Sequence, residues 1–227
     1  INSGLLAMAR GGITIEDEAR IAANEQLITN NRVAGSYASA NLYRPIEAGL
    51  LRELITILTD GMDEGGQDYR TTETVDYSPA DGEQFSFPSA RTVPDRVGEL
   101  SAFLASPQIH PLIKAAVAQA YMIILRPFPE GNERLGRVLS SMILLRAFFS
   151  DVSLSALIAR KSYGYYEAMA NILREENGGD LTYFLEYFLE LLSRAVDERR
   201  LGMTQREEQA RQAEQELAKT PLASAPS

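Results

Sequence analysis

The feature that most constrains this chain is a pair of apolar stretches of helical period, "IHPLIKAAVAQAYMIIL" and "NERLGRVLSSMILLRAFF", separated by a short loop rich in proline and glycine. In the second stretch Leu135, Val138, Leu139, Met142, Ile143 and Leu145 form the broad apolar face expected of a helix buried in the middle of a bundle. The remaining chain repeats that texture. "ITIEDEARIAANEQLITNN" places acids in a first turn that Thr14 can cap, and "PIEAGLLRELITILTDG" runs from Pro45 at its start to Gly61 at its end. "TVPDRVGELSAFLAS" is a further helix, and "LSALIARKSYGYYEAMANILREENGGDLTYFLEYFLELLSRAVDERR" reads as two more, broken at "NGGD", with Asp180 capping the second. The expected class is mainly α, a helical bundle.

One segment departs from this pattern. Residues 66–90 are rich in Thr, Tyr, Val and Phe with "SPADGE" at the middle, which suggests a short β-hairpin or extended flap; an ordered loop fits equally well, because a lone two-stranded ribbon is marginally stable. The chain divides into N-terminal helices at 1–61, a core at 62–195 that carries the flap and the loop at 126–137, and a polar tail at 196–227. In that tail Thr204 and Glu207 are spaced as a capping box for a solvated or partner-bound helix, and the small-residue run after Pro221 reads as disordered.

Composition removes several classes of function. With 227 residues and 45% hydrophobic content the chain can fill a real core. Cysteine is absent, so thiolate metal sites and disulfides are excluded and a reducing compartment fits, with the cytoplasm as the default. The single histidine, His110, excludes the usual zinc centres; it opens a helix beside Pro111 and reads as structural. A net charge of −9 argues against the broad basic face of a nucleic-acid binder. No apolar run reaches membrane-spanning length, and no signal-peptide pattern opens the chain, which begins at Ile1 and so leaves room for native residues upstream.

The loop "RPFPEGNERLGR" reads as an anion site. Pro127 and Phe128 fix the entry of the chain, Gly131 lets backbone approach a ligand, and the helix that follows aims free N–H groups and a positive dipole end at it. Arg134 and Arg137 lie on one face of that helix and can clamp phosphate oxygens. Glu130 would repel an anion unless Mg²⁺ bridges the two.

These residues resemble the signature of Fic-domain proteins, His-x-Phe-x-(Asp/Glu)-Gly-Asn-(Gly/Lys)-Arg-x-x-Arg: Phe128, Glu130, Gly131, Asn132, Arg134 and Arg137 all match. The flanking segments are similar as well, and the likeness spans about residues 14–195. The resemblance implies a Fic-type bundle that transfers AMP from ATP to a hydroxyl of a target protein, although some relatives transfer other phosphate-containing groups. Phe128 would anchor the loop, Glu130 hold Mg²⁺, the Gly131 and Asn132 backbone form the anion hole, and Arg134 and Arg137 bind phosphates. The flap, with Tyr69, Thr71, Thr72, Thr74 and Phe85, would position an extended target segment by strand addition. Tyr165 and Tyr166 would line the adenine pocket, or else are core aromatics.

Two departures qualify this. Arg126 stands where the family has its catalytic histidine, and a guanidinium that stays protonated cannot take a proton from the attacking hydroxyl. AMP transfer is therefore expected to be weak or absent, while a cation at this position still favours a bound phosphate. Glu133 replaces the usual Gly or Lys; it would weaken polyphosphate binding if turned inward, and a solvent-facing role at the helix dipole is the favoured reading. Many family members are silenced by a (Ser/Thr)-x-x-x-Glu-(Gly/Asn) helix whose glutamate pairs with the second motif arginine, here Arg137. Neither Glu64-Gly65 nor Glu176-Asn177 fits that pattern, and "LLAMARGG" has no glutamate. Such an element would lie upstream, come from a separate protein, or be dispensable. Three readings stay open: an AMP-transferring protein impaired by Arg126, a non-enzymatic nucleotide- or protein-binding member, and an enzyme that uses another phosphate-containing donor.

Overall fold

The computed structural model describes residues 15–62, 66–77, 84–147, 149, 162–174 and 179–219. Among them are seven α-helices: α1 (Ile15–Ala40), α2 (Ala48–Leu58), α3 (Val93–Ala105), α4 (Pro111–Leu125), α5 (Asn132–Arg146), α6 (Ser162–Leu173) and α7 (Thr182–Lys219). A two-stranded antiparallel ribbon, β1 (Val75–Tyr77) and β2 (Gln84–Ser86), lies between α2 and α3, in the register Val75↔Ser86, Asp76↔Phe85 and Tyr77↔Gln84. The mainly α class and the hairpin are as expected. The Thr14 cap, the "SPADGE" turn, the 154–161 stretch and the tail after Pro221 lie outside the described residues.

The centre of the fold is the pair α4 and α5. Pro111 occupies the first turn of α4, where its missing N–H is no loss, and His110 Nδ1 accepts from the Leu112 N–H at 3.2 Å. That gives the single histidine a partner the sequence does not reveal. Gly136 lets α5 run close against α4: a Cβ there would lie 2.9 Å from the Gln119 carbonyl oxygen. Beside it the buried Ser140 hydroxyl donates to the Ala115 carbonyl at 2.7 Å. Leu135, Leu139, Met142 and Ile143 are buried as the periodicity predicts, and Phe184 and Phe188 of α7 join the same core.

The end of α2 is tied to α1, because the Asn30 amide donates to the carbonyls of Leu58, at 3.3 Å, and Asp60, at 2.8 Å. Gly61 sits at φ 74 just past that end, the left-handed position that favours glycine. Pro45 does not open the helix, however. The first helical residue is Ala48, after Glu47, and Ile46 is buried in the approach.

The C-terminal expectation needs a larger correction. α7 continues through residue 196 to Lys219 without a break, and Thr204 is an interior residue whose hydroxyl donates to the Arg200 carbonyl at 3.1 Å. Nothing between Leu192 and Thr204 forces the chain out of helix, so the capping-box spacing is coincidental. Val196, Leu201 and Met203 are exposed along this half. The start of α7 is as expected: Asp180 Oδ1 accepts from the Thr182 N–H at 2.8 Å. No helix of the described residues is long and apolar enough to cross a membrane.

Candidate nucleotide site

The loop between α4 and α5 is closed by its own side chains. Phe128 is 1% exposed and packs against Tyr69, with ring centroids 5.3 Å apart. Asn132 then binds both main-chain polar groups of Phe128: Oδ1 accepts from the Phe128 N–H at 3.0 Å, and Nδ2 donates to the Phe128 carbonyl at 2.7 Å. The chain can make this turn because Gly131 adopts φ 80, with Ile55 and Thr59 of the neighbouring α2 region against it. α5 starts at Asn132, and its first N–H groups, which have no carbonyl one turn earlier, are left to face whatever occupies the mouth.

That mouth is a cleft of about 450 Å³ lined by Arg126, Glu130, Gly131, Asn132, Glu133, Arg134 and Arg137, with Leu27, Met62, Ile123 and Pro129. Of the seven motif positions that the sequence singled out, all but the core residue Phe128 are thus brought to one place. Their side chains are not equally available. Arg134, whose side chain is 12% exposed, donates from Nη1 to the Leu58 carbonyl at 3.0 Å, contacts Met62 Sδ at 3.2 Å, and lies 3.6 Å from a Glu130 carboxylate oxygen. It ties the loop to the end of α2, and burial depresses its pKa although Glu130 opposes this. Glu133 lines the cleft with a partly exposed carboxylate, which is bonded to the Arg137 guanidinium one turn on. An anion at Arg137 has to compete with it.

Glu130 lines the cleft with a partly exposed carboxylate, and no group of three or more His, Cys, Asp or Glu that could hold a metal exists among the described residues. One carboxylate suits Mg²⁺ that arrives already bound to phosphate oxygens, and does not make a protein cage for the free ion.

Arg126 ends α4 in the left-handed region, φ 42 and ψ 62, and is the only non-glycine with positive φ among the described residues. Its guanidinium carbon lies 4.6 Å from the centroid of Phe87, just past β2. The Arg126 side chain is therefore stacked on the flap base at the rim of the cleft.

The sequence reading missed Arg70. Its side chain is 2% exposed, and its guanidinium donates to four main-chain carbonyls: Arg126 at 2.7 Å, Thr72 at 2.9 Å, Leu125 at 3.3 Å, and Pro88. Its own N–H donates to the Pro127 carbonyl at 2.9 Å. Burial lowers its pKa; exposed Glu73, 3.9 Å away, opposes this and the nearby Arg126 cation reinforces it. The only sequence signal was an isolated arginine in the flap's polar approach, "DYRTTE".

The other flap residues divide by exposure. Thr71 and Thr72 are exposed and Thr74 is half-buried, whereas Phe85 is buried between exposed Gln84 and Ser86. Tyr69 carries Arg52 4.9 Å from its ring centroid and buries its hydroxyl without a hydrogen-bond partner. Tyr165 is 1% exposed, accepts from Gln119 Nε2 at 3.2 Å and packs on Tyr187, so it is a core residue and not part of the cleft wall. The Tyr166 side chain lies outside the described residues.

Residues 45–144 match the sequence model of the Fic/DOC family. A curated relative, Protein adenylyltransferase Fic of Nematostella vectensis, is 30% identical over 89 residues, which is 39% of this chain and 19% of that protein. The chain thus spans less than a fifth of that relative's length. The fold agrees with a Fic family protein from Desulfovibrio desulfuricans G20, TM-score 0.67 and 21% identity, over 87% of this chain and 62% of that one. It also agrees with a Fic domain containing signaling protein from Bacteroides thetaiotaomicron, TM-score 0.59 and 22% identity, over 82% and 72% of the two chains.

Proposed function

We propose that this chain, a member of the Fic/DOC family, is of the protein adenylyltransferase type: the 126–137 loop binds ATP, the flap receives an extended segment of a target protein, and AMP transfer is impaired by Arg126. The observation that carries this is the closed loop. Asn132 locked on Phe128, with Gly131 in the left-handed region, leaves the N-terminus of α5 and Arg137 facing one cleft. The N–H groups at the start of α5 would receive the phosphate oxygens of a nucleotide, and Glu130 would hold a Mg²⁺ brought with it, which would offset the phosphate charge.

In the transfer the target hydroxyl oxygen bonds to the α-phosphorus, the bond to the bridging oxygen breaks, and pyrophosphate leaves. The hydroxyl proton needs an acceptor. The Arg126 guanidinium has donors and no acceptor, and it stacks on Phe87, so it is no base. Loss of a general base lowers such a rate by about 10²- to 10⁴-fold.

The test is incorporation of AMP from α-labelled ATP with Mg²⁺, read as self-modification, on this chain and on Arg126→His side by side. Label only in the variant supports the reading. Label in neither, with ATP still bound, transfers support to a nucleotide- or partner-binding role, which the Phe87 stacking of Arg126 would also serve. Absence of ATP binding in both proteins overturns the site itself.

A further inference from the structure

We propose that Arg70 is a positioning residue that locks the flap to the mouth of the nucleotide loop, so that the target segment and residue 126 are held in one fixed relation. This rests on the function proposed above, and deepens it by naming what joins its two halves. The flap leaves the body of the protein after residue 72 and returns by residue 88. Arg70 donates to the carbonyls of Thr72 and Pro88, at the two legs of the flap, and to those of Leu125 and Arg126, at the end of α4. A guanidinium has five N–H donors in a rigid plane, and here that plane joins three separate chain segments.

Its environment suits this role and no other evident one. The nearest carboxylate, on Glu73, is mostly exposed and 3.9 Å away, so the buried charge is balanced chiefly by carbonyl dipoles at the negative end of α4. The side chain cannot reach a ligand, because it is 2% exposed and does not line the cleft. The Arg126 carbonyl it holds belongs to the one non-glycine residue with positive φ among the described residues. Fixing that carbonyl fixes the peptide plane and with it the direction in which side chain 126 leaves the backbone. The Pro88 carbonyl follows directly after Phe87, on which that side chain is stacked. Arg70 and Arg126 therefore grip the same leg of the flap.

The test compares Arg70→Lys and Arg70→Gln with the parent by amide hydrogen exchange, and repeats both in the Arg126→His background for AMP transfer. Lysine keeps the charge but cannot serve four carbonyls at once. Expected in both variants is exchange roughly tenfold faster at the described residues within 72–88 and at 125–128, with protection of the α4 and α5 interiors retained. In the Arg126→His background kcat should fall roughly ten- to a hundredfold while the KM for ATP stays within about threefold, as for misplacement of a reacting group without loss of the nucleotide site. Lysine should retain more activity than glutamine. Unchanged exchange in the flap overturns the proposal, as does uniform loss of protection through α4 and α5, which would make Arg70 a general stability residue. If Arg126→His alone transfers no AMP, the proposed function fails, while the exchange comparison still decides the role of Arg70.

Discussion

Alanine placed at three glycines separates the two demands that the loop makes on its backbone. Gly131 sits at φ 80, where a Cβ would lie 2.8 Å from Ile55 Cδ1 and 3.0 Å from Thr59 Cγ2. The left-handed conformation costs a residue with a Cβ about 1–2 kcal/mol. Overpacking adds about 1–3 kcal/mol, and the stiffer unfolded chain returns about 0.4–1 kcal/mol. The net loss for Gly131→Ala is about 1–5 kcal/mol, which for a chain of this length lowers Tm by roughly 2–20 °C. Gly136→Ala isolates the packing part: its φ is not in the left-handed region, but the Cβ would meet the Gln119 carbonyl oxygen at 2.9 Å, and backbone cannot step aside without separating α4 from α5. Overpacking there costs about 1–3 kcal/mol, of which the gain of alanine over glycine in a helix interior returns about 0.5–1 kcal/mol. Gly98→Ala is the control, an exposed position within α3 with nothing within 4 Å of the added Cβ, and should gain about 0.5–1 kcal/mol.

Thermal unfolding followed by circular dichroism, with urea melts in parallel, ranks the three. The expected order is Gly98→Ala above the parent, with Gly136→Ala and Gly131→Ala below it. The reasoning is refuted if Gly131→Ala melts with the parent or above it, because neither the turn geometry nor the contact with α2 could then be as described. ATP binding by the folded fraction of each variant adds a second readout, since only Gly131→Ala reshapes the loop.

Other outcomes follow from the same geometry. Asn132→Ala removes both bonds to Phe128 and leaves its buried peptide groups unpaired, a loss of about 2–4 kcal/mol in urea melts together with weakened ATP binding. Glu133→Ala frees Arg137, and titration calorimetry with pyrophosphate should show affinity rising about two- to fivefold at low salt, with a smaller gain at high salt. Tyr69→Phe removes a buried hydroxyl without a partner and should be neutral or stabilising by about 1 kcal/mol. Burial raises the Tyr69 pKa, so its share of stability is present below the unfolded value near 10 and is lost as pH rises above it; the variant's melting temperature should fall less steeply above about pH 10. A stop after residue 195 removes a part of α7 that is exposed at nearly every residue described from 196 to 215, and should shift Tm by less than about 2 °C.

What the sequence made legible was local. The α4 and α5 periods, the turn residues between them and the β-rich flap each lie within one window, where propensity and burial act together. The chain did not disclose contacts made at long range. Arg134 reaches a carbonyl 76 residues earlier in the chain, and Arg70 reaches one 56 residues later. A guanidinium that ends on a main-chain carbonyl leaves no partner residue to be found by pattern, because every residue has that carbonyl. Thr204 shows the converse error: the capping-box spacing is present, but a box has meaning only where a helix begins, and the preceding residues never stop being helical.

The same distinction bears on residue 126. The cleft is held by Phe128 in the core, by Asn132 on the Phe128 peptide, by Gly131 in the left-handed region, by Arg134 on α2 and by Arg70 on the end of α4. None of these contacts uses the side chain at 126. What they require of that residue is its carbonyl and its left-handed backbone, and both are available to histidine at a similar conformational cost. Exchanging the side chain therefore alters the contact with Phe87 while the loop stays assembled, and under the proposed function it alters proton transfer as well. That independence makes Arg126→His a clean experiment: its melting temperature should stay within about 3 °C of the parent. A larger drop would mean that the stacking on Phe87 supports the fold, and that the cradle and residue 126 are not separable.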